Sequence, residues 1–190
     1  MANGITAAVP ANGLVLWLTG LSGAGKTTLA EALQRQLKPR LPELVLVDGD
    51  MIRELFGAGL GFHEAARHEQ IGRIQRLARM LADQGLVVVV AALYAHPDLM
   101  AWNRRHLPNY YEVYLKAPLE LVQRRDAKGL YAKAASIAAP NVVGIDIPWH
   151  EPATPDLVID ATMAPAPDLL ARQVAAKLPR LAAALEPAHG

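Results

Sequence analysis

Apolar and polar positions along the chain fall into blocks of two kinds: short uninterrupted apolar runs and longer stretches with helical period. Leu14 to Leu18 is an unbroken run of strand length, and after Gly20 to Thr27 the apolar residues Leu29, Ala30 and Leu33 recur at helical spacing. Lys38 to Pro42 is a proline-marked loop, and Leu44 to Val47 a second short strand that ends at Asp48-Gly49-Asp50. Met51 to Phe56 begins a short helix that stops in Gly-Ala-Gly-Leu-Gly, and because aspartate is a favoured N-cap, capping this helix is the alternative to a chemical role for Asp50 and does not exclude one. Phe62 and His63 then lead into a long helix with Ile71, Ile74, Leu77, Ala78 and Leu81 on one face, ended by Gly85.

Leu86 to Leu93 contains four consecutive valines and reads as a central strand buried on both faces. A helix over Pro97 to Leu107, a strand over Tyr110 to Leu115, a helix from Pro118 to Asp126, a last strand over Asp156 to Ile159 and a closing helix from Asp168 to Leu185 complete the pattern. Strands alternating with helices predict an α/β sandwich around a parallel sheet. Residues 1 to 13 read as a loose arm and 14 to 190 as a single domain. Ala127 to Pro155 has no clear period and carries Gly129, Pro140, Gly144, Pro148 and Pro152, so it reads as a working lid rather than a linker.

The Gly20 to Thr27 stretch fits G-x-x-x-x-G-K-[ST] and stands between a strand and a helix, the context a phosphate site requires. A triphosphate tail needs backbone N–H groups at close range, and side chains at Gly20, Gly23 and Gly25 would obstruct them. Ser22, Ala24 and Thr28 belong to the same cradle, and the helix near Lys26 adds its positive end. Lys26 reaches the β- and γ-phosphates and the Thr27 hydroxyl is the expected Mg²⁺ ligand. The motif therefore calls for a nucleoside triphosphate with Mg²⁺. In a parallel sheet the Asp48-Gly49-Asp50 turn shares the loop's edge. Asp50 is the candidate to orient the accepting hydroxyl or act as base, with Asp48 near the metal. Arg53 lies one turn beyond Asp50, and Phe62 and Arg67 flank the next helix start as an aromatic face and a guanidinium for a nucleotide acceptor.

Composition narrows the classes. A chain of 190 residues with formal charge +1 has no bulk field to recruit nucleic acid or a membrane surface. With no cysteine there is no disulfide framework and no thiolate metal site. Gly85 to Leu93 is too short to span a bilayer, and no basic segment precedes the first apolar residues, so a cytoplasmic protein is expected. His63 and His68 are five apart, off the spacing that puts two ligands on one helical face. Arg76 and Arg79 read as a solvated face. The Trp102, Arg104 and Arg105 cluster is too short to indicate a nucleic-acid partner.

L-T-G-L-S-G-A-G-K-T-T, V-D-G-D-x-x-R, L-G-F, R-D-A-K-G-L-Y (Arg125 to Tyr131) and G-I-D-x-P (Gly144 to Pro148), in this order, resemble the adenylylsulfate kinase family. The resemblance implies a three-layer P-loop nucleotide-kinase sandwich with a mostly five-stranded parallel sheet and a lid, usually a homodimer. It implies ATP-dependent phosphorylation of the ribose 3′-hydroxyl of adenosine 5′-phosphosulfate. Carried over by position, Gly20 to Thr28 hold the ATP phosphates and Asp50 faces the acceptor hydroxyl. Arg53, Phe62, Arg67 and Lys128 contact the acceptor, and Arg125 belongs to the nucleotide-clamping lid.

The sequence departs from the family pattern on the acceptor side. I-S-P becomes Leu93-Tyr94-Ala95, D-R-x-x-N-I-R becomes Ala66-Arg67-His68-Glu69-Gln70-Ile71-Gly72, and F-T-G-I-D-x-P-Y becomes Val142 to Trp149. Gln70, Leu93 and Tyr94 thus join the candidate acceptor pocket. W-N-R (Trp102 to Arg104), N-Y-Y-E-V-Y-L (Asn109 to Leu115) and N-V-V-G-I-D-I (Asn141 to Ile147) resemble a branch that includes cytidine diphosphoramidate kinase. That branch implies the same 3′-phosphorylation on a cytidine nucleotide. A non-catalytic nucleotide-binding module is the competing class, and a switch GTPase is disfavoured by the lack of N-K-x-D.

Overall fold

The two longest uninterrupted apolar runs become strands that are buried on both faces. The computed structural model describes residues 13–56, 59–125, 129, 131, 141–163 and 165–185. Its elements in chain order are β1 (Leu14–Thr19), α1 (Lys26–Leu37), β2 (Leu44–Asp48), α2 (Gly49–Leu55), α3 (Glu64–Asp83), β3 (Val87–Ala92), α4 (Pro97–His106), β4 (Tyr110–Lys116), α5 (Leu119–Arg125), β5 (Leu157–Asp160), α6 (Pro167–Ala175) and α7 (Pro179–Leu185). Every residue of β1 and of β3 is buried, as a strand covered by helices on both faces must be.

Among the described residues the strands form one sheet in the order β2-β3-β1-β4-β5, with every neighbouring pair parallel. β1 therefore holds the centre, and β3, expected there, lies beside it. One group of helices, α1 with α6 and α7, and another, α3 with α2 and α4, both pack on β1 and β3. The result is a three-layer sandwich. Register aligns Thr19 with Ala92 and Tyr114, Asp48 with Ala91, and Lys116 with Asp160. The glycine loop after β1, the acidic corner after β2 and the ends of β4 and β5 consequently meet along one edge.

Two expectations are corrected. The closing helix is two helices, because Pro179 lacks the N–H that a continuous helix needs and disfavours helical backbone at Leu178. Asp50 does not cap α2. The helix starts two residues before the expected Met51, at Gly49, with Asp48 in extended conformation accepting a hydrogen bond from the Asp50 backbone N–H at 2.9 Å. His63 has the corresponding task at α3, where its Nδ1 accepts from the Ala66 N–H at 3.3 Å. No described helix is long and apolar enough to cross a membrane.

Candidate active site

The loop between β1 and α1 is shaped from both sides. At Gly20 an added Cβ would lie 2.5 Å from the Leu115 carbonyl oxygen, so any side chain here would strike the backbone of β4. Glycine is thus required by the neighbouring strand before any ligand is considered. Gly25 stands at the N-cap of α1 without a side-chain cap, which leaves the first amides of the helix for an anion. Lys26 Nζ donates to the Gly20 and Leu21 carbonyls, at 2.8 Å each, which folds the cation over its own loop.

Thr27 and the acidic corner are directly joined. The Thr27 hydroxyl donates to Asp48 Oδ2 at 2.8 Å, while Asp48 Oδ1 takes the Asp50 N–H. Asp48 is thus buried and held in place, whereas the Asp50 side chain is exposed at the same edge. A hydroxyl and a carboxylate in contact make an all-oxygen donor set that suits a hard cation such as Mg²⁺.

A cavity of about 470 Å³ runs from this loop toward the end of β5. Ser22 to Thr28 form its phosphate end, and Ile159, Ala161, Pro165, Pro167 and Leu170 form an apolar far end. Arg125 and Tyr131 form part of its wall, with Arg125 Nη2 donating to the Ala161 carbonyl at 3.0 Å. The volume and the change from amide-rich to apolar lining suit a nucleoside triphosphate with its base at the β5 end.

On the other side of Asp50, Phe62 is an exposed ring between two guanidinium groups. Arg53 lies 4.5 Å and Arg67 5.8 Å from its centroid. Arg53 Nη1 donates to the Leu60 and Gly61 carbonyls at 2.9 Å each, and Arg67 Nη2 donates to the Asn141 carbonyl at 2.6 Å. Arg67 is 8% exposed and its Nε has no hydrogen-bond partner among the described residues. Burial, and then the field of Arg53, draw its pKa below the usual arginine range. Two close cations, one buried with an unused donor, are an arrangement that an anionic ligand would relieve.

The remaining acceptor candidates are placed less uniformly. Gln70 is buried and its Nε2 points at the Gly49 carbonyl at 3.4 Å, tying α3 to the acidic corner. Tyr94 is buried and donates its hydroxyl to Glu64 Oε1 at 2.8 Å; burial and then this bond raise its pKa. Leu93, half-buried, immediately precedes it. Lys128 lies outside the described residues. The arrangement couples a phosphate cradle, a hydroxyl–carboxylate pair and a cationic aromatic face along one sheet edge.

Residues 12–160 match the family model for adenylylsulphate kinase. The chain belongs to that family. It is 43% identical over 145 residues to the adenylyl-sulfate kinase of Deinococcus deserti, covering 76% of this chain and 80% of that protein. It is 38% identical over 149 residues to the cytidine diphosphoramidate kinase of Campylobacter jejuni, covering 78% of this chain and 86% of that protein. The fold matches the Mycobacterium tuberculosis APS kinase, solved in complex with AMPPNP and APS, with a TM-score of 0.80 and 35% identity over 87% of this chain and 96% of that one. This adenylylsulphate kinase family member is an ATP-dependent kinase.

Sequence reasoning missed the base end of the cavity. Ile159, Ala161, Pro165, Pro167 and Leu170 carry no motif, and the paired prolines after the last strand were the signal available. Tyr131 closes the K-G-L-Y block, and nothing in that pattern signals its contact with the phosphate loop. Asn141, whose carbonyl holds Arg67, contributes only backbone and leaves no side-chain pattern to find.

Proposed function

We propose that this family member transfers the γ-phosphate of ATP to the ribose 3′-hydroxyl of a small 5′-substituted nucleotide, with adenosine 5′-phosphosulfate as the acceptor. The observation that carries the reading is the Thr27–Asp48–Asp50 chain of hydrogen bonds, which supports a role for the Thr27–Asp48 pair at a cation and for the exposed Asp50 carboxylate at the acceptor hydroxyl, with the Arg53–Phe62–Arg67 cluster as the acceptor face. The Ser22 to Thr28 amides hold the phosphates, and Lys26 exchanges its loop carbonyls for the β- and γ-oxygens. Thr27 and Asp48 hold Mg²⁺, which when bound neutralises charge on the phosphate tail. Asp50 orients the acceptor hydroxyl; a loose transition state asks for alignment more than for a strong base. Phe62 stacks the acceptor base while Arg53 and Arg67 meet its anionic 5′-substituent. Residues 14–190 act as one domain, and the working unit is a homodimer, which light scattering measures.

A second acceptor is favoured by one observation: Tyr94 fills the position of the family's serine and is bound to Glu64 at the entrance to α3. That change alters the acceptor half alone, in line with a cytidine diphosphate derivative such as the one named for the Campylobacter relative. Acceptor-dependent ADP release with both nucleotides, compared as kcat/KM, tests the proposal. A higher value for adenosine 5′-phosphosulfate supports the first reading and a higher value for the cytidine nucleotide replaces it. ADP release that depends on neither overturns both.

A further inference from the structure

Three residues, Val122 on α5, Tyr131 and Gly144, lie against three consecutive residues of the phosphate loop, Gly23, Ser22 and Leu21 respectively. Tyr131, 6% exposed, donates its hydroxyl to the Ser22 carbonyl at 3.2 Å. Val122 on α5 backs Gly23, whose Cβ, if present, would lie 3.4 Å from the Val122 carbonyl oxygen. Gly144, at φ 90, lies against Leu21, which would be 3.3 Å from an added Cβ. The Leu21–Gly23 arc is therefore backed from outside by residues of a different part of the chain.

We propose that Tyr131 is a positioning residue for the phosphate cradle. The Ser22 carbonyl and the Gly23 N–H are opposite edges of one rigid trans peptide plane. A donor that fixes the carbonyl on one side therefore fixes the direction of the amide on the other. Tyr131 thus aims a donor at the phosphate tail without offering the tail a charge of its own. The inference rests on the ATP-dependent kinase reading and adds to it a residue that acts through Ser22 and Gly23.

Tyr131→Phe keeps the buried ring and removes only the hydroxyl. Calorimetric titration of the full chain with AMPPNP and with AMP separates a role at the phosphates from one at the base or in folding. AMPPNP affinity is expected to fall about three- to tenfold, the scale of one neutral hydrogen bond, with AMP affinity within about twofold of wild type. Equal losses for both nucleotides, or no loss for either, in Tyr131→Phe would overturn the assignment. A wild-type protein that fails to bind AMPPNP would instead remove the kinase reading itself and the assignment with it.

Discussion

Thr27 and Asp48 are 21 residues apart in sequence, yet the hydroxyl of one donates to the carboxylate of the other at 2.8 Å. The second Asp48 oxygen caps α2, so this carboxylate has a structural and a chemical task at once. Asp50 has no capping task. Replacing each aspartate by alanine should therefore separate the two. Asp48→Ala is expected to lower stability by about 1 kcal/mol through loss of the cap, and to raise the Mg²⁺ concentration needed for activity. Asp50→Ala should leave the melting temperature close to wild type while reducing kcat by about 100-fold or more. Thermal melts beside Mg²⁺ titrations of ADP release check the pair. Equal stability losses in the two variants would contradict the assignment of the cap.

Lys26 donates to the Gly20 and Leu21 carbonyls, both at 2.8 Å, and under the proposed function it exchanges them for phosphate oxygens. Lys26→Met is expected to cost about 100- to 1,000-fold in kcat/KM, the scale of removing a transition-state charge partner. Circular dichroism should show the fold intact, because the core beneath the loop is unchanged. Activity within tenfold of wild type would exclude a role at the reacting phosphate.

Glu112 on β4 gives a pH prediction with a definite sign. Its side chain is 2% exposed, accepts from Tyr110 and Arg104, and has one oxygen without a hydrogen-bond partner. Burial pushes its pKa up, against the opposing effects of Tyr110 and Arg104. A carboxyl that holds its proton more tightly folded than unfolded favours the native state below the ordinary glutamate range. That contribution is lost as pH rises through the raised value. The stability of wild type minus that of Glu112→Gln, from urea unfolding at a series of pH values, is expected to fall between acid and neutral pH. A flat or rising difference would show that the ion pair with Arg104 outweighs burial.

Local period and local chemistry made most of this molecule legible in the sequence. β1, the loop and α1 could be read because a buried run, three glycines and Leu29, Ala30 and Leu33 all lie within one continuous stretch. Pro179 marked the break between α6 and α7, yet the apolar period across it was the signal followed. What could not be read depends on strand order. The base end of the cavity exists because β5 pairs with β4, which sets Ala161 and Pro165 near the phosphate loop although more than 130 residues separate Gly25 from Ala161 in sequence. The capping choice at Asp48 was hidden for another reason. Two aspartates flank Gly49, and only the extended backbone at the end of β2 decides which one is the N-cap of α2.

The acceptor face supplies the sharpest separation of binding from folding. Phe62 is 53% exposed between Arg53 and Arg67, so its ring contributes little to the core and is available to a ligand. Stacking of a base on an aromatic ring is worth ~1–3 kcal/mol, so Phe62→Ala is expected to raise the acceptor KM roughly tenfold or more. The KM for ATP and the melting temperature should stay near wild type. Arg67→Lys should differ in kind. It keeps a charge but loses the planar fork that reaches the Asn141 carbonyl from a buried position, so both acceptor KM and stability are expected to worsen. Initial rates with each substrate varied in turn, together with thermal melts, distinguish the two variants. A Phe62→Ala enzyme whose ATP KM rises as much as its acceptor KM would move this ring out of the acceptor pocket.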